Sequence, residues 1–266
     1  MPLDRCPWDQ LPDTVHQTVA RHVGGTYSAA DTVGGGNSAV AVVLTTATGS
    51  VFVKGIRADD GQADELALEH RVNSYLPDLC PRVLWQTETA GWVLLAFDAV
   101  TGEHADYAPG SADLEAVITT LTALSGTPAP PVALLNAWDR WGYYCADDDK
   151  PLFDGDSLLH TDLAATNILM NDGRAHVVDW SWAARGPAWI DPALWGIRLI
   201  SDGGHTPAEA TRRAREVPAF HMANPRAVAA LSRAEADRWA ALDAEGTPGI
   251  EGVTRGARQW ADHWAR

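Results

Sequence analysis

Residues with the chemistry of phosphoryl transfer lie close together in the second half of the chain. The stretch His160-Thr161-Asp162 is followed after four residues by Asn167, and Asp179 ends an apolar run twelve positions beyond that Asn. A carboxylate can accept a hydroxyl proton, and an amide and a second carboxylate can hold a metal ion. Transfer of a phosphoryl group from ATP requires these parts. We therefore predict a kinase in which Asp162 is the catalytic carboxylate and Asn167 and Asp179 hold Mg²⁺.

A lysine in an apolar strand provides a second signal. Of the 20 basic residues only Lys54 and Lys150 are lysines. An isolated lysine at a strand end usually points into water. Here the strand at 51–55 follows a glycine-rich hairpin and a turn, which favours a phosphate contact for Lys54. On the helix that follows, Glu65 and Glu69 share a face; we expect Glu69 to pair with Lys54, and Glu65 stays open as an exposed acid.

The first third of the chain predicts a small antiparallel sheet. The hairpin glycines include Gly35 and Gly36, whose backbone N–H groups could approach phosphates, although such a hairpin is more often a simple turn. Strands are predicted at about 81–87 and 91–97, and residues 98–102 would form the hinge out of this lobe. Backbone groups near the hinge could hydrogen-bond a purine edge. The residues concerned are Ala96, Phe97 and Asp98.

The rest of the chain, from about residue 103, is predicted to be mostly helical, with one helix at about 134–145. An acidic loop precedes His160 and contains Asp147-Asp148-Asp149, Asp154 and Asp156. Such a charge run is usually a solvated turn. The alternative is an acidic wall that attracts an amine-bearing substrate.

Composition excludes several classes of protein. The chain has 266 residues, 46% of them apolar and 21% charged, as in ordinary globular proteins. The net charge of −15 argues against a nucleic-acid partner and would suit either solubility or a cationic acceptor. No run of 18 apolar residues predicts a membrane span, and the start lacks a signal-peptide pattern. We expect a cytoplasmic protein whose three scattered cysteines are reduced.

The order of these features resembles the aminoglycoside phosphotransferase family, relatives of the protein kinases that phosphorylate small molecules. The resemblance spans about 32–196 and is most specific from His160 to Trp195, where Gly186-Pro187 and Asp191-Pro192-Ala193 also match. It implies an α+β, protein-kinase-like two-lobed fold. An N-terminal nucleotide-binding lobe, 1–97, would hold an antiparallel sheet with one helix. A mostly helical catalytic and substrate lobe, 98–266, would follow.

The resemblance also implies roles for particular residues. Ser38 and nearby backbone amides would cover the phosphates, and His160 would support the catalytic loop by hydrogen bonds. Lys54, positioned by Glu69, would contact the α- and β-phosphates. The activity implied is ATP- and Mg²⁺-dependent phosphorylation of a small-molecule hydroxyl; the residues do not distinguish ATP from GTP.

The acceptor and the oligomeric state are left open by the sequence. An aminoglycoside, a sugar, an amino alcohol or another metabolite could be the acceptor. A protein kinase is disfavoured, because Asp179-Trp180-Ser181 replaces Asp-Phe-Gly and only a short loop precedes the next helix. The non-enzyme alternative is a nucleotide-binding protein that has lost its chemistry.

Overall fold

The structure is a computed structural model that describes residues 5–32 and 38–265. Gly35 and Gly36 lie outside the described residues. The helices are α1 Asp13–His22, α2 Ala63–Asn73, α3 Asp113–Ser125, α4 Ala137–Trp141, α5 Ile190–Ser201, α6 Pro207–Ala214, α7 Pro218–His221, α8 Pro225–Ala244 and α9 Glu251–Trp264. The strands are β1 Ser28–Asp31, β2 Val40–Thr46, β3 Gly49–Arg57, β4 Val83–Thr89, β5 Trp92–Asp98, β6 Glu103–His104, β7 Leu135–Asn136, β8 Ser157–Leu159, β9 Ile168–Asn171, β10 Arg174–Val177 and β11 Ala184–Gly186.

The chain forms two compact units. The first contains residues 1–102 together with 177–181, and the second contains 103–176 and 182–266. Within the first unit, β1 to β5 form an antiparallel sheet in the order β1-β2-β3-β5-β4. The predicted N-terminal antiparallel sheet is therefore present.

Alternation along β3 places its side chains on two faces of this sheet. Val53 packs in an apolar cluster with Val15 and Val19 of α1, whereas Ile56 packs on the other face with Leu66 of α2. Helix α1 thus covers one face of the sheet and helix α2 covers the other. Because both faces are buried, the direction of each side chain along β3 is fixed.

The second unit is mainly helical around the apolar helix α5. Gly196 of α5 lets α9 approach, since a Cβ at this position would lie 2.6 Å from a ring carbon of Trp260. The unit also contains two small sheets, ordered β10-β9-β6 and β7-β11-β8. Of these short strands only β10 was expected, as part of the apolar strand predicted to end at Asp179. Strands β8 and β9 flank the segment that contains His160 and Asp162.

The predicted helix at about 134–145 is shorter in the structure. Residues Leu135–Asn136 form a strand, and α4 spans only Ala137–Trp141. The side chain of Asn136 accepts a hydrogen bond from the backbone of Asp139 and so fixes the start of α4. Within the described ranges, no helix combines the length and the apolar character that crossing a membrane requires.

Candidate active site

The ammonium group of Lys54 lies between two carboxylates of the first unit. Lys54 Nζ donates to Glu69 Oε1 and Oε2 at 3.1 and 3.0 Å, and to Asp179 Oδ1 at 2.8 Å. Lys54 and Glu69 are 7% and 2% exposed. The structure thus pairs Lys54 with Glu69 and adds Asp179, which lies 125 positions away in the sequence.

Burial and charge act in opposite directions on this cluster. Burial alone would lower the pKa of Lys54, but the carboxylates of Asp179 and Glu69 outweigh it and raise the pKa. Burial raises the pKa of Glu69, and the charge of Lys54 opposes that rise. Lys54 is therefore a firmly held cation.

The segment 177–181 brings Asp179 to this lysine. The backbone N–H of Val177 donates to the carbonyl of Leu79 at 3.0 Å, and the N–H of Trp180 donates to Glu69 Oε1 at 3.2 Å. Asp179 has a φ of 66°, a left-handed conformation that is sparsely populated for residues other than glycine. Ser181 Oγ donates to Asp179 Oδ1 at 2.7 Å. These contacts hold a strained backbone in place, a feature that is concentrated at functional sites.

Asp162 and Asn167 are neighbours within the second unit. Asn167 Nδ2 donates to the backbone carbonyl of Asp162 at 3.0 Å and to its Oδ2 at 3.1 Å. Arg198 Nη2 donates to Asp162 Oδ1 at 2.7 Å. Burial lowers the pKa of Arg198, but the charges of Asp162 and Asp202 outweigh burial and raise the pKa overall. The candidate base is thus oriented by an amide on one oxygen and by a guanidinium on the other.

A buried aspartate holds the backbone that precedes Asp162. Asp191 Oδ2 and Oδ1 accept the N–H groups of His160 and Thr161 at 2.8 and 2.9 Å. Thr161 has a φ of 69°, and its hydroxyl donates to the carbonyl of Trp182 at 2.8 Å. His160 Nδ1 in turn accepts the N–H of Asp162 at 3.2 Å. His160 therefore shapes the turn from a fully buried position. Its role in supporting a catalytic loop stays a prediction.

The remaining predicted nucleotide contacts lie in the first unit. Ser38 is buried just before β2. Ala96 and Phe97 are buried in β5, and strands on both sides pair with them. Asp98 is exposed, and its backbone N–H donates to the carbonyl of Arg82 at 3.0 Å. Their roles toward a nucleotide stay predictions.

The carboxylates of the acidic loop are less available to a substrate than the sequence indicated. Asp149 is buried and pairs with Arg226 at 2.9 Å and with Arg233 at 3.7 Å. Asp156 pairs with Arg185 at 3.3 Å. Two of its carboxylates therefore already have arginine partners, which weakens the interpretation of this loop as an acidic wall for an amine.

Two residues that organise the site were not predicted as site residues. Asp191 and Arg198 lie seven positions apart on α5, hence on the same side of the helix, and otherwise that helix is almost entirely apolar. Isolated charges in an apolar helix were the signal that could have identified them, because burying such charges is costly unless each has a partner.

Comparisons with solved structures identify proteins of similar fold. No protein-family model and no curated protein sequence matches the chain. Its structure is similar to the apo form of a thermostable mutant of aminoglycoside phosphotransferase APH(4)-Ia, with a TM-score of 0.64 and 16% identity, over 94% of this chain and 98% of that one. A ternary complex of a thermostable mutant of that enzyme with AMP-PNP and hygromycin B has a TM-score of 0.63 and 15% identity, over 95% of this chain and 98% of that one.

A second kind of kinase is equally similar. Choline kinase LicA from Streptococcus pneumoniae gives a TM-score of 0.64 and 12% identity, over 93% of this chain and 99% of that one. At sequence identities this low, the structural similarity shows a shared fold only. The protein-kinase-like, two-lobed α+β fold predicted from the sequence is confirmed, and it is the fold of the aminoglycoside phosphotransferases and of choline kinase.

Proposed function

We propose that this protein is a small-molecule kinase that transfers the γ-phosphoryl group of ATP to a hydroxyl group. The observation that carries the proposal is the buried contact of Lys54 with both Glu69 and Asp179. A lysine with two carboxylates costs desolvation energy and is a poor way to stabilise a fold. It is a good way to keep a rigid positive charge for the α- and β-phosphates of a nucleotide.

Asp162 is the proposed catalytic carboxylate. The hydrogen bond from Asn167 and the ion pair with Arg198 fix its rotamer. A fixed carboxylate can orient the acceptor hydroxyl and take its proton as the bond to phosphorus forms. Positioning of this kind, with charge stabilisation, accounts for most of the catalysis of phosphoryl transfer.

The residues present suit Mg²⁺. Asn167 uses its Nδ2 for Asp162, and within the described ranges no hydrogen bond engages its Oδ1. The oxygens of Asn167 and Asp179 are hard donors of the kind that Mg²⁺ prefers. When bound, the ion would neutralise charge on the phosphates. We propose Asn167 and Asp179 as its protein ligands.

Similar structures support a nucleotide and a small acceptor. One neighbour was crystallised with AMP-PNP and hygromycin B, and another is a choline kinase. ATP is the proposed donor, with Ser38 and the backbone at 96–98 as further proposed contacts. Residues 1–97 would act as the nucleotide-binding lobe and 98–266 as the catalytic and substrate lobe.

Release of ADP against a panel of hydroxyl compounds tests the proposal. The panel should include aminoglycosides, sugars, amino alcohols and hydroxy acids. We expect at least one acceptor to stimulate ADP release, and Asp162→Asn to reduce that rate by about 100-fold or more, as loss of a general base does. Asp148→Asn, in the exposed part of the acidic loop, is the matched control and should keep the wild-type rate.

Nucleotide binding separates an enzyme from an inactive binding protein. In a thermal-shift measurement, ATP with Mg²⁺ should raise the melting temperature of both wild type and Asp162→Asn. Binding without turnover on any acceptor would favour the inactive alternative. An unchanged rate in Asp162→Asn would remove this residue from the proposed role.

A further inference from the structure

The guanidinium of Arg140 is a half-buried charge that the proposed reaction does not use. It lies on α4, with Cζ 5.4 Å from the ring centroid of Trp141 and 5.4 Å from that of Trp182. In the part of the chain that the structure describes, no ion pair or hydrogen bond engages the guanidinium. Its Nε is buried and lacks an acceptor. Two indole rings stabilise the positive charge without using any of its N–H donors.

The carboxylates near Arg140 form hydrogen bonds or ion pairs with other groups. The Glu235 carboxylate accepts the indole N–H of Trp141 on one oxygen and that of Trp239 on the other, the latter at 2.6 Å. Arg238 Nη1 also lies 3.7 Å from Glu235 Oε1. Both Glu235 oxygens thus already have a donor, and within the described ranges no hydrogen bond or ion pair joins this carboxylate to Arg140. Glu235 attracts Arg140 by its charge from a longer distance.

The same is true of the two aspartates whose charges act on Arg140. Asp162 is paired with Arg198, and Asp191 accepts two backbone N–H groups. Burial, followed by the like charge of Arg238, lowers the pKa of Arg140 to about 10, so the group is still a cation at neutral pH. Within the described ranges, a positive charge that Asp162 influences thus has no hydrogen-bonded or ion-paired partner.

We propose that Arg140 binds a carboxylate or a phosphate group on the acceptor, so that the acceptor is an anionic hydroxyl compound. The part that concerns the acceptor rests on the proposed function. Guanidinium presents a planar fork of donors that matches both oxyanions, and its contacts with two indole rings restrict the orientation of that fork before binding. A cationic acceptor would instead meet carboxylates that are already paired and a positive charge that has no hydrogen-bonded carboxylate.

Calorimetry without nucleotide tests the binding site independently of catalysis. The probes are D-gluconate against sorbitol for a carboxylate, and glucose 6-phosphate against glucose for a phosphate. Wild type should bind at least one anion about 10- to 100-fold more tightly than its neutral counterpart, the range of a charge-assisted hydrogen bond in a buried site. Arg140→Gln should abolish that preference, and Arg140→Lys, which keeps the charge and loses the fork, should retain part of it.

Exposed Arg185 supplies the control, since Arg185→Gln removes one positive charge from the same unit and should leave the preference unchanged. Circular dichroism establishes whether each variant is folded. If Arg140→Gln does not fold, the anion preference of Arg140→Lys tests the proposal. The proposal is overturned if wild type binds neither anion better than its neutral counterpart, or if Arg140→Lys and Arg140→Gln bind anions as wild type does.

Turnover with the same pairs separates this inference from the proposed function. The KM of the anionic acceptor should rise in Arg140→Lys while the KM of its neutral counterpart stays constant. Phosphorylation of neutral or cationic acceptors alone, with no effect of Arg140 substitutions, would leave the kinase standing and overturn the anion site. Anion binding without phosphoryl transfer to any acceptor would support the anion site and contradict the proposed kinase activity.

Discussion

Replacing Lys54 by methionine should destabilise the first unit strongly. The Lys54, Glu69 and Asp179 side chains are 9, 3 and 16% exposed, so solvent screens their interactions only weakly. Removing one partner of a buried ion pair typically costs about 3–5 kcal/mol. Ser181 still donates to Asp179, and the N–H of Trp180 still donates to Glu69, which softens the loss. We therefore expect Lys54→Met to lower the free energy of unfolding by about 3 kcal/mol, measured by urea denaturation at neutral pH.

A double variant tests whether the loss comes from stranded charge. In Lys54→Met/Glu69→Leu one of the two uncompensated carboxylates is also removed. We expect this variant to recover about 1–2 kcal/mol relative to Lys54→Met, because an apolar side chain replaces a buried charge without a partner. If the double variant is less stable than Lys54→Met, packing by Glu69 matters more than its charge.

The pH dependence of the Lys54→Met deficit follows from the pKa of Glu69. Burial raises this pKa, and removal of Lys54 takes away the charge that opposed the rise. A carboxyl group with a raised folded-state pKa contributes stability that is complete below its ordinary value of 4.5 and is lost as pH rises through the folded-state pKa. The deficit should be smallest near pH 4.5 and should grow toward neutral pH. A deficit below about 1 kcal/mol at neutral pH, or one independent of pH, would refute the reasoning.

Three further predictions concern packing, a thiol and the support of the catalytic turn. Gly196→Ala should cost about 1–3 kcal/mol by urea denaturation, because its Cβ would overlap Trp260; a neutral result would contradict the close packing of α5 and α9. Burial raises the pKa of Cys80 to about 12, so iodoacetamide at pH 8.5 should label it about 1,000-fold more slowly than an ordinary thiol, as mass spectrometry would detect. Asp191→Ala should cost about 3–5 kcal/mol, since it strands two buried N–H groups including that of Thr161; a loss under 1 kcal/mol in denaturation would exclude this support.

Local patterns account for what the sequence could predict about the first unit. Alternation along a strand places Lys54 opposite Val53, and helical spacing places Glu69 on the buried face of α2 beside Leu66 and Val72. Both rules act over a few residues, so a single sequence contains the information. The third member, Asp179, came from its motif, and its contact with Lys54 depends on a left-handed turn that no periodicity encodes.

Long-range pairings account for what the sequence did not predict. Arg198 is 36 positions from Asp162, and Arg226 is 77 positions from Asp149, and no local rule joins them. The loop aspartates could therefore be read as solvated or as a substrate wall, whereas the fold gives Asp149 two arginine partners. Strands as short as Glu103–His104 contain too few residues to show alternation.

Transfer of labelled γ-phosphate from ATP to an acceptor tests the central claim most directly. Wild type and Asp162→Asn would be incubated with ATP, Mg²⁺ and the acceptor panel, and phosphorylated small molecules would be separated and counted. We predict label on a small-molecule hydroxyl with wild type, and about 100-fold less with Asp162→Asn although that variant still binds ATP. Equal labelling by the two proteins would contradict the account.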